Sequence, residues 1–404
     1  MIEAIFQKIE ESLPEDISGI DRQEFLGGQI TRLPLDERQI LQKQFYGFLA
    51  RMKEVEASDI EVGGACATDR IWFRIFGKKA PQPELGTYPP LQADMICHSL
   101  LSENQRAHLL ITKALDFSFG LNLNGKPSRW RASMYFDLNH LALNMRAIAD
   151  EVYPYKQLGF HPNISKSLSL NHEKQGLVLL TGITGSGKST TLDSIIDANN
   201  RTSQGHIVII GDPIEHIHQS DKCIIRHREV GRDVLSFKEG AVQALRQDPD
   251  IIVVGEMRDP DTMMACLEIT DTGHKVFSTL HTGSAVESID RIVAECPSEE
   301  QDRVRNRLAD VLRVIISQKL IPSLDNKLVL AKEVMLVTTS VKAAIRNKNT
   351  QEIYQMISEG GKSGMVSLEQ DLVRLYNNRF ISKENAIDFA NNKKRIYELL
   401  NHLQ

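Results

Sequence analysis

The middle of the chain predicts a parallel sheet made of short, buried strands. Apolar runs of strand length recur there, and stretches of helical character separate them. The runs lie at 177–180, 206–210, 251–254 and 276–279. Strands that alternate with helices are typical of a parallel sheet with crossover helices. Because such sheets bind ligands at the carboxyl ends of their strands, the polar residues after each run are the first candidates for chemistry.

The N-terminal part of the chain follows a different pattern. Residues 1–44 predict a helical extension, in which apolar residues such as Ile5 and Ile9 recur along one face. This face could pack on the protein's own N-terminal domain or dock on a partner. Residues 45–150 predict a small α/β domain, and the prolines and aromatic residues of 151–164 indicate a linker. The elements predicted in the small domain are a helix near 91–101 and strands near 57–62, 70–77, 115–121, 128–136 and 142–148.

Residues 165–404 form the predicted second domain, and its last third is predicted to be mostly helical. Residues 298–301, SEEQ, match the capping-box pattern that begins helices. Further helices are predicted at 372–376 and 387–400. The helix that begins after the capping box is predicted to share one apolar face among Leu308, Val311, Leu312, Ile315 and Ile316.

The composition favours a soluble protein of a reducing compartment. The 404 residues suit two or three domains, and 41% hydrophobic and 25% charged residues are ordinary for globular proteins. A net charge of −5 argues against broad nucleic-acid binding, although a local basic groove stays open. The five cysteines include no C-x2-C pair, so a cytoplasmic location is expected. No run approaches the ~20 apolar residues of a membrane helix, and the acidic N-terminus is unlike a secretory signal.

The first buried strand leads into the strongest motif, the sequence GITGSGKST. It fits the phosphate-binding pattern G-x4-G-K-[ST] at every fixed position, between a predicted strand and a predicted helix. Lys188 would reach the outer phosphates and Ser189 would hold Mg²⁺, while the helix N-terminus favours anions. A chance glycine-rich turn is the alternative, which the complete pattern disfavours. The residues predicted to bind the nucleotide are Gly182, Thr184, Gly185, Ser186, Gly187, Lys188, Ser189 and Thr190.

Carboxylates follow two of the other strands. Hydrolysis of a nucleoside triphosphate needs a metal, a carboxylate that organises metal or water, and cations for the transition state. Glu256 follows the run IIVVG and is predicted to act in catalysis and to bind the metal, with a chance surface glutamate as the alternative. Asp212 and Glu215 flank a proline on a neighbouring strand end and could face the metal or the water. Either of them could instead be a solvated loop acid.

Histidines lie at both ends of the last apolar run. His281 follows the strand and could contact the γ-phosphate through Nε2, although a lone histidine is more often structural. His274 precedes the strand and is a second catalytic candidate. The sequence Thr272-Gly273-His274 also predicts a turn, so a structural role for His274 stays open.

Four stretches together resemble the secretion ATPase superfamily, the hexameric motors of type IV pili, type II secretion and related machines. They are GITGSGKST, GDPIEH, VVGEMRD and STLHT, in that order. REVGRDVLSFKEG and the tail IYQMISEGGKSGMVSLEQDL resemble its PilT-type pilus retraction branch. The resemblance covers about residues 50–380. Extension motors usually carry a tetracysteine zinc insertion, which this chain lacks, so the resemblance favours the retraction branch.

The resemblance implies a fold, an assembly and further site residues. The fold class would be α/β, with a PAS-like N-terminal domain and a RecA-like P-loop ATPase domain that has a helical C-terminal part. Six copies would form a ring that binds ATP and Mg²⁺ and acts on an inner-membrane platform protein, with a paralogous motor as a further partner. Arg129 and Arg131, and also Arg146, occupy places similar to the family's arginine fingers. A solvated strand face is the alternative for Arg129 and Arg131.

Three departures from the family pattern leave two hypotheses open. The family usually has a glutamate, the expected water-activating base, where this chain has Gly211. It usually has an arginine where this chain has Leu138, and the tail motif AIRNLIRE is kept only in AIRN, residues 344–347. One hypothesis is an ATP-driven pilus or secretion motor, and the other is a weakly hydrolysing regulator beside an active paralogue. A nucleic-acid motor is disfavoured by the acidic charge.

Overall fold

The chain folds into two compact units, Met1–Asp150 and Glu151–Gln404. This architecture comes from a computed structural model that describes residues 1–75, 77–123, 125–148, 151–325 and 327–401. The domain ends predicted at residues 150 and 404 therefore lie outside the described residues, as does Phe76 of the strand predicted at 70–77.

The first unit combines helices with an antiparallel sheet. The helices of this unit are α1 (Ile2–Ser12), α2 (Gly19–Arg32), α3 (Leu35–Glu54), α4 (Pro90–Leu100) and α5 (Glu103–Thr112). Its strands are β1 (Asp59–Gly63), β2 (Trp72–Ile75), β3 (Lys78–Pro81), β4 (Ala114–Leu123), β5 (Lys126–Asp137) and β6 (His140–Ala147). The strands lie in the sheet in the order β3-β2-β1-β6-β5-β4, and every neighbouring pair is antiparallel.

The N-terminal helices belong to the core of the first unit. α1 buries Ile5, Phe6 and Ile9 in the same hydrophobic cluster as the sheet residues Trp130 and Met145. The structure therefore shows the first of the two alternatives for residues 1–44, a helical region packed on its own domain. The boundary predicted between residues 44 and 45 falls inside α3, because the apolar face of that helix continues to its last turn.

A buried polar network also fastens α2 to the sheet. The Asp94 carboxylate accepts hydrogen bonds from Gln23 Nε2 at 2.6 Å and from the Leu141 backbone N–H at 2.7 Å, and it pairs with His140 Nδ1 at 2.8 Å. Gln23 also contacts His98 Nε2 at 2.9 Å. Burial lowers the pKa of His98 to about 3, with the charge of Arg106 acting in the same direction, so this imidazole is neutral.

The second unit is a helix-covered sheet whose centre is parallel. The strands of this unit are β7 (Gly176–Thr181), β8 (Gly205–Gly211), β9 (Cys223–Glu229), β10 (Ile251–Val254), β11 (Lys275–Leu280), β12 (Leu312–Pro322) and β13 (Leu328–Leu336). They lie in the sheet in the order β13-β12-β7-β11-β10-β8-β9, and among these described strands only β13 runs antiparallel to its neighbour. The helices of the unit are α6 (Pro162–Leu168), α7 (Lys188–Thr202), α8 (Phe237–Ala244), α9 (Pro260–Asp271), α10 (Ala285–Ala294), α11 (Gln301–Val311), α12 (Thr339–Arg346), α13 (Thr350–Glu359), α14 (Leu368–Asn377), α15 (Lys383–Phe389) and α16 (Lys393–Asn401).

The central strands are buried on both faces of this sheet. Alternate residues of β7, Leu177 and Leu179, join one hydrophobic cluster, whereas Val178 and Leu180 join the cluster on the opposite face. This arrangement explains why these strands read as continuous apolar runs in the sequence. The stretch predicted as a linker, 151–164, lies in the second unit and holds the short 3-10 turn Tyr155–Leu158 and the start of α6.

Three predictions for the C-terminal third are wrong. α11 ends at Val311, and Leu312 to Ile316 lie in β12, because the edge of β7 offers hydrogen bonds to this β-branched run. The predicted capping box does not form, since Glu300 precedes α11 without a side-chain cap. The helix predicted at 387–400 is also two helices, because residue 390 is extended and the Asn392 side chain accepts a hydrogen bond from Arg395 N–H in a new first turn.

These elements confirm the predicted α/β fold class, with a PAS-like N-terminal part and a RecA-like second unit that ends in helices. The strands predicted before the glycine-rich motif and at the other apolar runs all form. β9, which the sequence analysis missed, extends the sheet by one edge strand. Within the described ranges, no helix has both the length and the apolar character needed to cross a membrane.

Candidate functional site

The glycine-rich motif forms a tight loop between β7 and α7. Gly182, Gly185 and Gly187 have φ values of +148°, +80° and +86°, which only glycine adopts without strain. A Cβ atom added at Gly182 would lie 2.5 Å from the carbonyl oxygen of Gln318, so the loop has no room for a side chain there. Gly187 immediately precedes the first turn of α7, whose free N–H groups favour an anion.

Lys188 is folded back onto this loop. Its Nζ donates to the carbonyl oxygens of Gly182 at 2.8 Å and Ile183 at 3.2 Å. Burial lowers the pKa of Lys188, and the charges of Glu256 and Glu215 oppose that shift. The charges of both carboxylates therefore act on the ammonium group, which is held by weak carbonyl acceptors that a more highly charged group could replace.

The remaining loop residues also fit a phosphate group. Ser186 Oγ is buried and has no hydrogen-bond partner among the described residues. Thr184, Ser189 and Thr190 are exposed, the last two in the first turn of α7. An orphaned hydroxyl, a glycine cradle and a lysine together form a site that fits nucleotide phosphates, and the Ser189 hydroxyl fits a phosphate-bound Mg²⁺.

Glu256 lies two residues after the end of β10, between an arginine and a histidine side chain. Its Oε2 accepts a hydrogen bond from Arg258 Nε at 2.8 Å, and its Oε1 lies 3.2 Å from His281 Nε2. Arg258 Nη1 also lies 3.6 Å from Asp212 Oδ2. Arg258 was not a candidate in the sequence analysis. Its position two residues beyond a strand-end glutamate is the signal that could have identified it.

His281 is placed by its backbone as well as by Glu256. Its carbonyl oxygen accepts a hydrogen bond from Arg291 Nη1 at 2.9 Å. Burial lowers the pKa of His281, with the Lys188 charge in the same direction and Glu256 opposing them. His274 does not join this group, because it precedes β11 and His281 follows it. His274 Nδ1 instead lies 2.9 Å from Thr272 Oγ1, in the turn that its sequence also predicted.

The loop after β8 brings Asp212 to the same edge of the sheet. The charge of Glu215, on this loop, raises the pKa of Lys188. The loop itself is held by a hydrogen bond that the Ile214 N–H donates to Glu229 Oε2 at 3.1 Å. Gly211 ends β8, and a Cβ atom added there would lie 2.7 Å from Ile214 Cδ1. A side chain at position 211 therefore requires the flexible end of Ile214 to move.

The candidate arginines of the first unit lie on its sheet. Arg129 and Arg131 are half-buried on β5, on the face opposite to the buried Trp130. Arg146 lies beside Arg131 on β6, and its Nε donates to Asp59 Oδ1 at 2.8 Å. Asp59 therefore fixes the direction of the Arg146 guanidinium group.

The other two departures from the family pattern have different surroundings. Leu138 is exposed in the turn between β5 and β6, with a φ of +46°. In the AIRN stretch, Ala344 and Ile345 are buried in α12, and Arg346 pairs with Asp310 of α11. The retained half of that motif therefore packs α12 against α11.

Comparison with known proteins agrees with this geometry. Residues 115–395 match the family described as type II/IV secretion system protein. The chain is 39% identical over 305 residues to the type IV pilus retractation ATPase PilT of Pseudomonas aeruginosa, which covers 75% of this chain and 87% of the relative. It is 31% identical over 360 residues to the type IV pilus ATPase PilU of the same organism, covering 88% and 92%.

A solved structure matches both parts of the fold. A crystal structure of the pilus retraction motor PilT with bound ADP has a TM-score of 0.78 and 35% sequence identity, over 87% of this chain and 98% of that chain. The match with the family extends over more than half of the sequence, and the relatives align over most of their own length. The chain belongs to the type II/IV secretion system protein family, as the four sequence stretches predicted.

Proposed function

We propose that this chain is an ATPase that drives a type IV pilus, in retraction, or a related secretion platform. The convergence of Lys188 with Glu256 and His281 at the carboxyl edge of one sheet is the observation that carries the proposal. The similarity to PilT, whose structure was solved with ADP, supports ATP as the nucleotide. A lysine that binds the phosphates and a carboxylate that organises metal or water are recurring parts of phosphoryl-transfer sites, and His281 adds a polar group beside Glu256.

Each side chain has a proposed part in this reaction. Lys188 would leave the carbonyl oxygens of Gly182 and Ile183 for the outer phosphates of ATP, which are stronger acceptors. Ser189 and Glu256 would hold Mg²⁺, which neutralises phosphate charge and orients the oxygens. His281 lies against Glu256 and would contact the γ-phosphate or orient the attacking water.

The absent glutamate at position 211 limits the proposed turnover. A general base contributes typically about 10²–10⁴-fold to a rate, so hydrolysis should be slow unless another carboxylate serves. Glu215 and Asp212 lie on the loop after Gly211, and Glu256 lies across from them. We infer that Glu256 or Glu215 accepts the proton from water in this chain.

The assembly and its partners are also proposals. A homo-hexamer would bring Arg129 and Arg131 of one domain to a nucleotide, because guanidinium groups match phosphate oxygens and the site closes on binding. The ring would work in the cytoplasm against an inner-membrane platform protein. The domain limits 1–44, 45–150, 151–164 and 165–404 remain predictions for this assembly.

A second function is favoured by one observation. Gly211 and Leu138 replace two family residues of expected catalytic value, while the phosphate loop is intact. A nucleotide-binding regulator beside an active paralogue would keep binding and lose turnover. The similarity to PilU, a type IV pilus ATPase in an organism that also has PilT, is compatible with a paralogous pair.

Steady-state ATPase measurements on the purified oligomer separate the two functions. Under the motor proposal, the wild-type chain hydrolyses ATP well above Lys188→Ala. The Gly211→Glu variant tests the missing base, with Gly211→Gln as the matched control because it fills the same space without a carboxylate. Wild-type activity equal to that of Lys188→Ala, together with turnover restored by Gly211→Glu alone, would establish the regulator instead.

Light scattering tests the oligomer separately. The expected result is a hexamer in the presence of ATP and Mg²⁺. A monomer under these conditions would contradict the ring without affecting the assignment of the phosphate loop.

A further inference from the structure

A polar pocket lies beside the edge strand β9, apart from the phosphate loop. Its volume is about 530 Å³. Arg226 and Arg228 pair in register with Val208 and Ile210 of β8, whose side chains pack in the same cluster as α8. Neighbouring residues in register point to the same face of a sheet, so the pocket opens on the α8 side. The residues that line it are His206, Arg226, His227, Arg228, Asp233 and Gln247.

Two buried nitrogen atoms of this pocket have unmet hydrogen-bonding capacity. His206 Nε2 and Arg228 Nη1 are buried and have no hydrogen-bond partner among the described residues. A buried polar atom without a partner is costly, and its presence in a pocket indicates a missing ligand or water. His206 is near the start of β8 and Arg228 is near the end of β9, so the two atoms belong to opposite ends of this strand pair.

The other contacts of these side chains hold them in place. Arg228 Nη2 donates to Gln243 Oε1 at 2.9 Å and to the Asp233 carbonyl oxygen at 3.2 Å, which fixes the guanidinium plane. His206 Nδ1 lies 2.9 Å from the carbonyl oxygen of Gln247. A carbonyl oxygen only accepts, so Nδ1 carries a proton and donates it to this hydrogen bond, which fixes the orientation of the ring.

The orphaned donor specifies the ligand. Arg228 Nη1 can only donate, and the oxygens of a phosphate group accept hydrogen bonds from arginine. Arg226 adds a second positive charge at the exposed rim, and the two arginines outweigh Asp233, whose carboxylate already accepts the Glu229 N–H at 2.9 Å.

We propose that this pocket is a second anion site, which binds a phosphate group independently of the phosphate loop. Inorganic phosphate and the phosphate of a nucleotide share the required chemistry, and competition by ADP distinguishes them. The bound group accepts a hydrogen bond from Arg228 Nη1 and is attracted by the charge of Arg226 at the rim.

Titration calorimetry with inorganic phosphate tests the site in the full-length Lys188→Ala chain, which removes the contribution of the phosphate loop. The expected result is one phosphate bound per chain. Adding Arg228→Gln should weaken this binding by about tenfold or more, because a charge-assisted hydrogen bond is lost. Adding Arg226→Gln should weaken it about threefold, as expected for an exposed charge. Arg232→Gln removes the same charge from an exposed position outside the pocket and should change nothing.

Two results would overturn the proposal. One is that the Lys188→Ala chain binds no phosphate, and the other is that its binding is unchanged by both Arg226→Gln and Arg228→Gln. The Arg226 side chain is exposed, so its variant keeps the test valid if loss of the Arg228 contacts disturbs folding. Competition by ADP in the same background would assign the site to a nucleotide phosphate, and its absence would assign it to inorganic phosphate.

Discussion

Two groups of acidic side chains in the second unit differ in what they contact. Glu256 is half-buried, and its two oxygens face the side chains of Arg258 and His281, which are partly exposed to solvent. Glu333 and Glu369 are buried and accept hydrogen bonds from backbone N–H groups. The difference teaches that the partners of a carboxylate decide its use. Solvated side-chain partners leave the charge available to a ligand, whereas backbone donors commit it to the fold.

The buried pair joins several elements around the nucleotide site. Glu333 of β13 accepts from the N–H of Ala285, the first residue of α10, at 2.8 Å. Glu369 of α14 accepts from the Tyr354 hydroxyl and from the Asn392 N–H, both at 2.8 Å. Because α10 follows the loop that bears His281, the hydrogen bond from Ala285 to Glu333 also holds the end of that loop.

The largest expected effect is on turnover, from removing the charge of Glu256. The Glu256→Gln variant should lower ATP hydrolysis by about 10²–10⁴-fold, because it removes a proposed metal ligand and base. Its thermal unfolding midpoint should stay near that of the wild type, since the carboxylate has solvated partners. Parallel ATPase and calorimetric measurements check both. A midpoint lowered by many degrees would show that Glu256 supports the fold and would break the contrast.

The opposite effect is expected from the buried Glu369. The Glu369→Ala variant should lose about 1–3 kcal/mol of stability, because the partly buried Tyr354 hydroxyl and the Asn392 N–H would lose their acceptor. Urea denaturation measures this loss, and Glu369→Gln, which keeps the shape and one acceptor, should lose less. Full stability of Glu369→Ala would mean that this cluster is not a structural one.

Ionisation of Glu333 is expected to make the free energy of unfolding depend on pH, by up to about 3 kcal/mol. Burial raises its pKa to about 7, with the Glu369 charge in the same direction. The folded state thus holds the Glu333 proton more tightly than the unfolded state, whose pKa is near 4.5. The resulting stability is fully present below about pH 4.5 and is lost as the pH rises through about 7.

Denaturation curves between pH 4.5 and 8 check this for the wild type and for Glu333→Gln. Glutamine keeps the acceptor for the Ala285 N–H and cannot ionise. The variant should therefore lack the part of the stability loss at rising pH that comes from Glu333. Identical slopes for the two proteins would remove Glu333 as the source.

The smallest expected effect on stability comes from Arg258. Its pair with Glu256 is solvated, so Arg258→Gln should change the free energy of unfolding by no more than about 0.5–1 kcal/mol. Turnover should nevertheless fall, because Glu256 loses the donor that orients it, and Arg258→Lys should retain more activity than Arg258→Gln. An ATPase rate equal to the wild-type rate in Arg258→Gln would show that the orientation of Glu256 does not depend on this arginine.

Local pattern predicted the parts of the fold and the site that depend on neighbours in sequence. The apolar run of β7, the glycines of the phosphate loop and the start of α7 are consecutive, so their geometry follows from propensity and sterics. The strand-end positions of Glu256 and His281 were likewise predicted from the runs that precede them. The same reasoning could not distinguish β12 from a helix, because a dense run of apolar residues satisfies both periods.

The sequence by itself therefore determined the family, the four central strands β7, β8, β10 and β11 and the identity of the phosphate loop. Only the tertiary structure decided that Arg258 and His281 both face Glu256, that His274 does not, and that residues 1–44 complete the first unit's core. It also decided that Glu333 and Glu369 are buried while Glu256 stays accessible. The physical reason is that burial, ion pairing and strand pairing depend on residues far apart in the chain, whose positions are fixed only when the sheet and its covering helices assemble.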